Sequence, residues 1–288
     1  MFGKDKTKNI VDLAKEFDET QSNAEPSPRG DLRPNPTAEG SVPEVNHIKD
    51  ALSSLLENVQ SKNTFTDFNL PSLGKFYPGY DKETIGVRPL KFSDEKRIQQ
   101  SAAGDRALDA LNSVLASCLS GPNFMELTIP DKLYCIYRLR QLSYGSTYTF
   151  PEKCEGCNHE NEINYELSSM KINYLETASQ DSVTVTLPDS GKTAVVKTLR
   201  VKDEDKMTSL KDIIQSLPGW IERIEEHKDR NIINLFVEGT TVRDVAALRK
   251  AIYSPSYGMD TSHDYFCTEC GKKNELNVGI NANFFFTS

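Results

Sequence analysis

Two Cys-x-x-Cys pairs constrain the fold of this chain more than any other feature of its sequence. They are Cys154 with Cys157 and Cys267 with Cys270. Asn-Glu-Ile-Asn follows the first pair at 161–164, and Asn-Glu-Leu-Asn follows the second at the same offset, 274–277. An aromatic, strand-like stretch precedes each pair, so each is predicted to form strand, tight turn and strand. Two such knuckles close a tetrahedral shell of four thiolates, the usual structural zinc arrangement.

The pairs predict one structural zinc per chain, because four thiolates leave no open position for a catalytic water. Four unrelated free thiols remain the plain alternative. A redox pair of the thioredoxin kind is disfavoured because no strand-to-helix pattern follows Cys157. His159 and His263 are expected to be exposed or to lie outside the ligand shell. Cys118 and Cys135 lie in apolar helical stripes and are expected to be small buried thiols.

The 109 residues between the pairs, 158–266, are far more than a compact ribbon uses, so they are predicted to contain an insertion. The expected class is α+β, with helical segments around a discontinuous four-cysteine zinc ribbon and a small antiparallel β hairpin. A largely disordered N-terminal arm is expected to precede them. The predicted boundaries are an arm over 1–62, a body over 63–288, a helical part over 91–145, a ribbon from 146–170 and 261–288, and an insertion of hairpin and helices over 171–260.

Local patterns place the elements within this plan. Apolar stripes predict helices that start near Ser93, run over 107–118 and run from Pro130 to a stop at Gly145. In the insertion, two alternating stretches predict a hairpin around Asp189-Ser190-Gly191. Helices are expected to follow, including the stretch with Trp220, Ile221 and Ile224, then helices ending at Gly239 and capped by Thr241. The last block, 265–286, is strand-like.

The first 63 residues differ in composition from the rest. Five prolines lie between Glu19 and Val45 among Ser, Asn, Glu and Gly, which predicts a flexible tether. Short amphipathic stretches flank it, and the first carries Ile10, Leu13 and Phe17 on one face. These three are candidate partner contacts. Docking of the stretches on the chain's own body is the alternative.

A second candidate contact is the loop from Leu70 to Pro78, in which two prolines and a glycine favour an ordered, non-helical conformation. Leu73, Phe76 and Tyr77 lie in it, and rigid aromatic anchors are typical of interface hot spots. The alternative is that these aromatics fill the chain's own core.

Composition argues against several functions. The net charge of −8 and a pI near 5.2 lack the basic footprint of nucleic-acid binding. No stretch reaches the roughly 18 apolar residues of a membrane helix, and the start lacks the apolar core of a signal peptide. Gly191-Lys192-Thr193 lacks the earlier glycine of a P-loop and sits in a hairpin. We therefore expect no enzyme activity, no small-molecule substrate and no membrane or nucleic-acid partner.

An ordered set of motifs resembles the T4-type bacteriophage baseplate hub family, over about 65–288. The motifs are Leu-Pro-Ser-Leu-Gly-Lys-Phe-Tyr-Pro at 70–78, Val-Arg-Pro-Leu at 87–90, Leu-Arg-Gln-Leu-Ser-Tyr-Gly at 139–145 with Tyr148 and Phe150, the two cysteine pairs, Tyr-Gly-Met-Asp at 257–260 and the terminal Phe284-Phe285. One departure is Asn158, where the first knuckle could have held a glycine.

The resemblance implies a non-enzymatic tail protein of a contractile-tailed phage that acts in assembly of the baseplate hub. A structural component and an assembly chaperone both fit. Its implied partners are other baseplate hub or tail proteins, and its implied place is the cytoplasm of the infected bacterial host, with retention in the virion baseplate left open. The alternative is a zinc-ribbon nucleic-acid-binding or regulatory module. Acidic residues around the knuckles argue against it: Glu152, Glu155, Glu160, Glu162, Glu269 and Glu275.

Overall fold

The computed structural model describes residues 53–55, 64–101, 107–176, 182–207, 210–253, 255–280 and 284–285. Helices and antiparallel strands are both present, which confirms the predicted α+β class. The helices are α1 (Phe92–Ser101), α2 (Ala107–Cys118), α3 (Ile129–Tyr144), α4 (Leu210–Ser216), α5 (Arg230–Gly239) and α6 (Val242–Tyr253). The strands are β1 (Thr66–Asn69), β2 (Thr84–Val87), β3 (Leu119–Ser120), β4 (Thr147–Lys153), β5 (Glu160–Glu166), β6 (Ile172–Asn173), β7 (Ser182–Thr186), β8 (Thr193–Lys197), β9 (Ile221–Ile224), β10 (Gly258–Met259), β11 (Ser262–Phe266) and β12 (Lys273–Asn277).

The strands form small separate sheets. A three-stranded sheet has the order β1-β2-β3, and another has the order β7-β8-β9. The two cysteine knuckles are the hairpins β4-β5 and β11-β12. Strands β6 and β10 pair antiparallel, where the chain enters and leaves the insertion. The ends of the insertion therefore meet in a backbone ladder as well as at the cysteines.

Helix α3 forms the centre of the larger core and shows the predicted boundaries. The Thr128 side chain accepts a hydrogen bond from the Asp131 amide at the N-terminus, and Pro130 lies in the first turn. Gly145 ends the helix with φ of 89°, a conformation that favours glycine. Both Cys118 and Cys135 are buried free thiols in this core, as predicted.

The loop from Leu70 to Pro78 does not expose its aromatic side chains. Phe76 and Tyr77 are only 4 % and 5 % exposed, and Phe76 packs on Tyr257 with ring centroids 5.4 Å apart. The Tyr77 hydroxyl donates to the Asp131 carboxylate and accepts from the Thr128 amide at 3.1 Å. The expectation that these two aromatic side chains are exposed to a partner is therefore wrong, because both fill the chain's own core. Of the three candidate contacts in this loop, Leu73 alone is partly exposed.

Tyr77→Phe tests this assignment. The change keeps the ring but leaves the Asp131 carboxylate and the Thr128 amide without their hydroxyl partner in a buried place. We expect a loss of about 1–3 kcal/mol in the free energy of unfolding, measured by urea denaturation. Tyr80→Phe, just after this loop, is the control, because its ring is partly exposed and its hydroxyl bonds only a partly buried carbonyl, that of Thr84 at 2.6 Å. Equal effects of the two variants would contradict the buried role.

Asp131 makes stability depend on pH. Burial raises the pKa of its carboxyl, although hydrogen bonds from Ser72, Tyr77 and Thr128 act to lower it. A raised pKa in the folded state opposes folding above that pKa, and this cost disappears as pH falls towards the unfolded value of about 3.9. We therefore expect the unfolding free energy of the wild type, relative to that of Asp131→Asn, to rise as the pH falls from 7 to 4. A constant or falling difference would contradict it.

The insertion has its own core, which lies between the β7-β8-β9 sheet and helices α5 and α6. The predicted hairpin β7-β8 is present. Ile221 and Ile224, expected to be helical, instead lie in strand β9, which pairs with β8. Polar contacts join the insertion to α3 and to the loop from Leu70 to Pro78. Lys132 pairs with Glu204 at 2.5 Å, and the Arg200 guanidinium donates to the Phe76 carbonyl at 3.0 Å.

Several boundaries differ from the predictions. Helix α1 begins at Phe92, and the Asp94 carboxylate, rather than Ser93, accepts from an amide there, that of Lys91 at 3.0 Å. Gly239 is the last residue of α5 and not its cap. Within 265–286, only residues up to Asn277 are in described strands. Phe284 and Phe285 are buried in the larger core, where Phe284 packs on Tyr137 of α3. Ile10, Leu13 and Phe17 lie outside the described residues. Over the described part of the chain, no helix is both long and apolar enough to span a membrane.

Candidate metal centre

The two cysteine hairpins have the same turn. In the first, the Cys154 amide donates to the His159 carbonyl and the Asn158 amide donates to the Cys154 carbonyl, both at 2.9 Å. In the second, the corresponding bonds run from Cys267 to Lys272 and from Gly271 to Cys267, again at 2.9 Å.

Asn158 and Gly271 occupy the matching position of the two turns, and both have a left-handed backbone, with φ of 59° and 69°. Asparagine is one of the few non-glycine residues that adopt this conformation readily. The departure from glycine noted in the sequence therefore leaves the turn intact.

The turns bring all four cysteine sulfurs together. Every pair of these atoms lies within 4.8 Å, and the Sγ atoms of Cys154 and Cys270, like those of Cys157 and Cys267, are 3.6 Å apart. A disulfide would need about 2.05 Å. Four sulfurs around a zinc ion at about 2.3 Å would be about 3.8 Å from one another. The spacing and the donor set therefore fit one tetrahedral thiolate-bound ion.

Backbone amides favour thiolates in this cluster. The Cys157 amide, with others of the turn, lowers the pKa of the Cys154 thiol to about 6. The Cys270 amide lowers the pKa of Cys267 in the same way. The His159 amide acts to lower the pKa of Cys157, but desolvation and the neighbouring cysteines raise it to about 12. Four thiolates this close repel one another, so full ionisation requires a cation among them.

Asn161 connects the first hairpin to the cysteines of the second. Its side chain is 3 % exposed, and its amide nitrogen lies 3.7 Å from the Cys267 sulfur as a donor. Its carbonyl oxygen accepts from the Thr268 amide at 2.9 Å. One buried side chain therefore holds both the Cys267 sulfur and the turn that carries it.

Asn274 makes the reciprocal contacts from the second hairpin. It donates to the Cys154 sulfur at 3.6 Å and accepts from the Glu155 amide at 3.2 Å. Both asparagines had a signal in the sequence, the repeated Asn-Glu-(Ile/Leu)-Asn. That repeat showed that the knuckles are equivalent, but it did not show that each asparagine reaches across to the other knuckle.

The histidines near the site lie outside the cluster of sulfurs. His159 is exposed, and His263 packs edge-on against Tyr165 with ring centroids 4.8 Å apart. Together with the hydrogen bond from the Tyr265 hydroxyl to the Lys153 carbonyl at 3.2 Å, this contact joins the two hairpins away from the sulfurs. The hairpins thus meet along their length, with Cys154 and Cys267 buried and the other two cysteines exposed.

Comparison with known proteins gives one family. The model of the family described as T4 bacteriophage base plate protein matches residues 62–285. The search of curated proteins and the search of solved structures gave no match.

Proposed function

The chain belongs to the T4 bacteriophage base plate protein family, and we propose that it acts without catalysis in assembly of the baseplate hub, as a structural component or an assembly chaperone. The observation that carries this proposal is the family match over 62–285. The same span contains all four clustered cysteines. A baseplate protein works by contacts with other phage tail proteins, so its surfaces and its rigidity matter more than a reactive centre.

Within that function, the cysteine cluster would hold one structural zinc. Four cysteines fill a tetrahedral shell, and Asn161 and Asn274 fix two of the sulfurs from the opposite hairpin. The ion would join two hairpins that are far apart in sequence, one directly before the insertion and one directly after it. Its role is to hold the two halves of the ribbon in one orientation.

We propose that the partners are hub or tail proteins in the cytoplasm of the infected host, and not nucleic acid. The hairpin surfaces carry exposed Glu155, Glu160 and Glu269 next to the cysteines. Such carboxylates repel a phosphate backbone, and the net charge of −8 adds to that repulsion at longer range. Salt-dependent binding of DNA at the ribbon would argue for the nucleic-acid alternative.

A phage that lacks this chain tests the assembly function directly. Hub complexes in infected-cell extracts should be absent or incomplete, and a plasmid copy of the wild-type chain should restore them. Mass spectrometry of purified wild-type virions then separates the two roles, since a component is present in the particle and a chaperone is not. Normal hub complexes without the chain would overturn the proposal.

The two asparagines give a test of the metal site that does not remove a ligand. We expect Asn274→Ala and Asn161→Ala each to weaken zinc binding about 10–100-fold, because partners that orient ligands have effects of that size. Competition with a chromogenic chelator measures the affinity. Asn277→Ala, at an exposed position of the same strand as Asn274, should leave it unchanged. Three equal affinities would contradict the positioning role.

A further inference from the structure

The outer face of the β7-β8-β9 sheet differs in chemistry from the rest of the chain. Its register places Ser182 opposite Lys197, and Thr184 in one row with Val195 and Arg223. Side chains alternate along each strand, so the intervening residues point to the opposite face. That opposite face holds the apolar core of the insertion, with Val196 and Ile221 fully buried. The register therefore makes the outer face mainly polar, with Val195 as an apolar, buried member of it.

This face is the floor of a groove of about 750 Å³. Its charged lining consists of Lys197, Arg223, Lys228, Arg230 and Glu222. Four cations against one carboxylate give the groove a formal charge of +3 in a chain whose total is −8. Glu222 reaches the groove at the irregularity in the pairing of β8 with β9, where the register shifts.

Two of the cations are held by the backbone. The Arg223 guanidinium donates to the Glu225 carbonyl at 2.7 Å, and the Arg230 guanidinium donates to the Ile221 carbonyl at 2.7 Å. Each of these bonds uses the Nη1 end of a group that carries five N–H donors. The remaining donors are thereby oriented before any ligand arrives, which lowers the entropic cost of binding. Lys197 and Lys228 are exposed and add mobile charge beside them.

We infer that this groove binds an extended, carboxylate-rich segment of another protein. Guanidinium groups pair with carboxylates through parallel hydrogen bonds, and a strip of four cations matches a few acidic side chains spaced along a strand. A long polyanion fits less well, because the rest of the chain is acidic and Glu222 lies in the groove itself. The assembly function enters this proposal at one point only: it identifies the partner as a neighbouring phage tail protein.

The test uses the full-length chain and a fluorescein-labelled peptide of six glutamates, with binding followed by fluorescence anisotropy at 25 mM and 150 mM NaCl. We expect saturable binding that weakens with salt. The double variant Lys197→Glu with Lys228→Glu should weaken it at least tenfold. Neither lysine contributes to the core, so the melting temperature of the double variant should equal that of the wild type.

The matched control is Lys82→Glu with Lys250→Glu, which changes the net charge equally at exposed positions outside the groove lining. It should alter the affinity less than threefold. Equal losses in the two double variants, or no binding to the wild type, would overturn the proposal. So would tighter groove-dependent binding of a six-nucleotide single-stranded DNA, which would assign the groove to nucleic acid. None of these results bears on whether hub complexes form without the chain, so the two proposals can fail separately.

Discussion

Cys267→Ser should abolish stoichiometric zinc binding and unfold both cysteine hairpins. The variant removes one of four ligands, and a hydroxyl does not replace a thiolate as a zinc ligand of comparable strength. Structural zinc sites contribute about 10–16 kcal/mol in zinc-finger peptides, which equals or exceeds the whole stability of a typical domain. We expect zinc, measured by mass spectrometry of the purified protein, to fall from one equivalent per chain to less than about a fifth.

The damage should be local. Strands β6 and β10 hold the ends of the insertion together, and the insertion has its own core and the Lys132–Glu204 pair with α3. Hydrogen exchange should therefore accelerate in β4, β5, β11 and β12, while β7–β9 keep their protection. Loss of protection throughout the insertion would show that the metal alone holds its ends.

Cys118→Ala is the matched control for this result. Cys118 is a buried free thiol in the body and lies outside the cysteine cluster. The variant should keep one zinc per chain even if it loses some stability through the smaller side chain. Undiminished zinc in Cys267→Ser, or zinc lost equally from both variants, would contradict the four-cysteine site.

The ribbon could be predicted because its determinants are local and repeated. Each turn is specified by a Cys-x-x-Cys pair followed by a residue that tolerates a left-handed backbone, Asn158 or Gly271. Helix α3 could be predicted equally well, since Pro130 lies in its first turn and Gly145 follows its last residue. In both cases the residues that fix the element lie within a few positions of it, so the sequence carries the signal.

The sequence-based predictions failed where contacts between residues far apart in the chain determine the structure. Tyr77 is buried because Asp131, 54 residues away, supplies a partner for its hydroxyl. A sequence pattern cannot show that pairing. Ile221 and Ile224 are spaced three apart, which fits one face of a helix as well as a strand with a shifted register, and β8 provides the edge that selects the strand.

A third hairpin shows how the same turn forms without cysteine. In the turn between β7 and β8, the Leu187 amide donates to the Lys192 carbonyl and the Gly191 amide donates to the Leu187 carbonyl, as in the knuckles. The Asp189 and Ser190 amides occupy the places of the amides that lower the pKa of Cys154. They point instead at the buried Asp244 carboxylate, at 2.8 and 3.1 Å. An acceptor for the turn amides is thus common to all three hairpins. It is a cysteine sulfur in two of them and a carboxylate in the third.

Arg140 is the side chain that joins two of the sequence motifs, the one at 139–145 and the terminal Phe284-Phe285. It is 1 % exposed, and its guanidinium donates to the carbonyls of Gly145, Thr147 and Phe284 at 2.9, 3.3 and 3.0 Å. The aromatic rings of Tyr148 and Phe284 lie 5.2 and 5.8 Å from it. The end of α3, the first strand of the ribbon and the C-terminal phenylalanine therefore share one cation.

We expect Arg140→Ala to lower the free energy of unfolding by at least about 3 kcal/mol, because it empties a large buried volume and leaves carbonyl oxygens without their donor. In a chain of this size that corresponds to about 6–12 °C in melting temperature, measured by calorimetry. Arg140→Lys should recover only part of the loss, since an ammonium cannot make the three directed bonds of the planar fork. Arg138→Ala, two residues away on the same helix and partly exposed, is the control. If Arg138→Ala lowers the free energy of unfolding as much as Arg140→Ala, or if Arg140→Lys is as stable as the wild type, the contacts among α3, the ribbon and Phe284 do not depend on the Arg140 guanidinium.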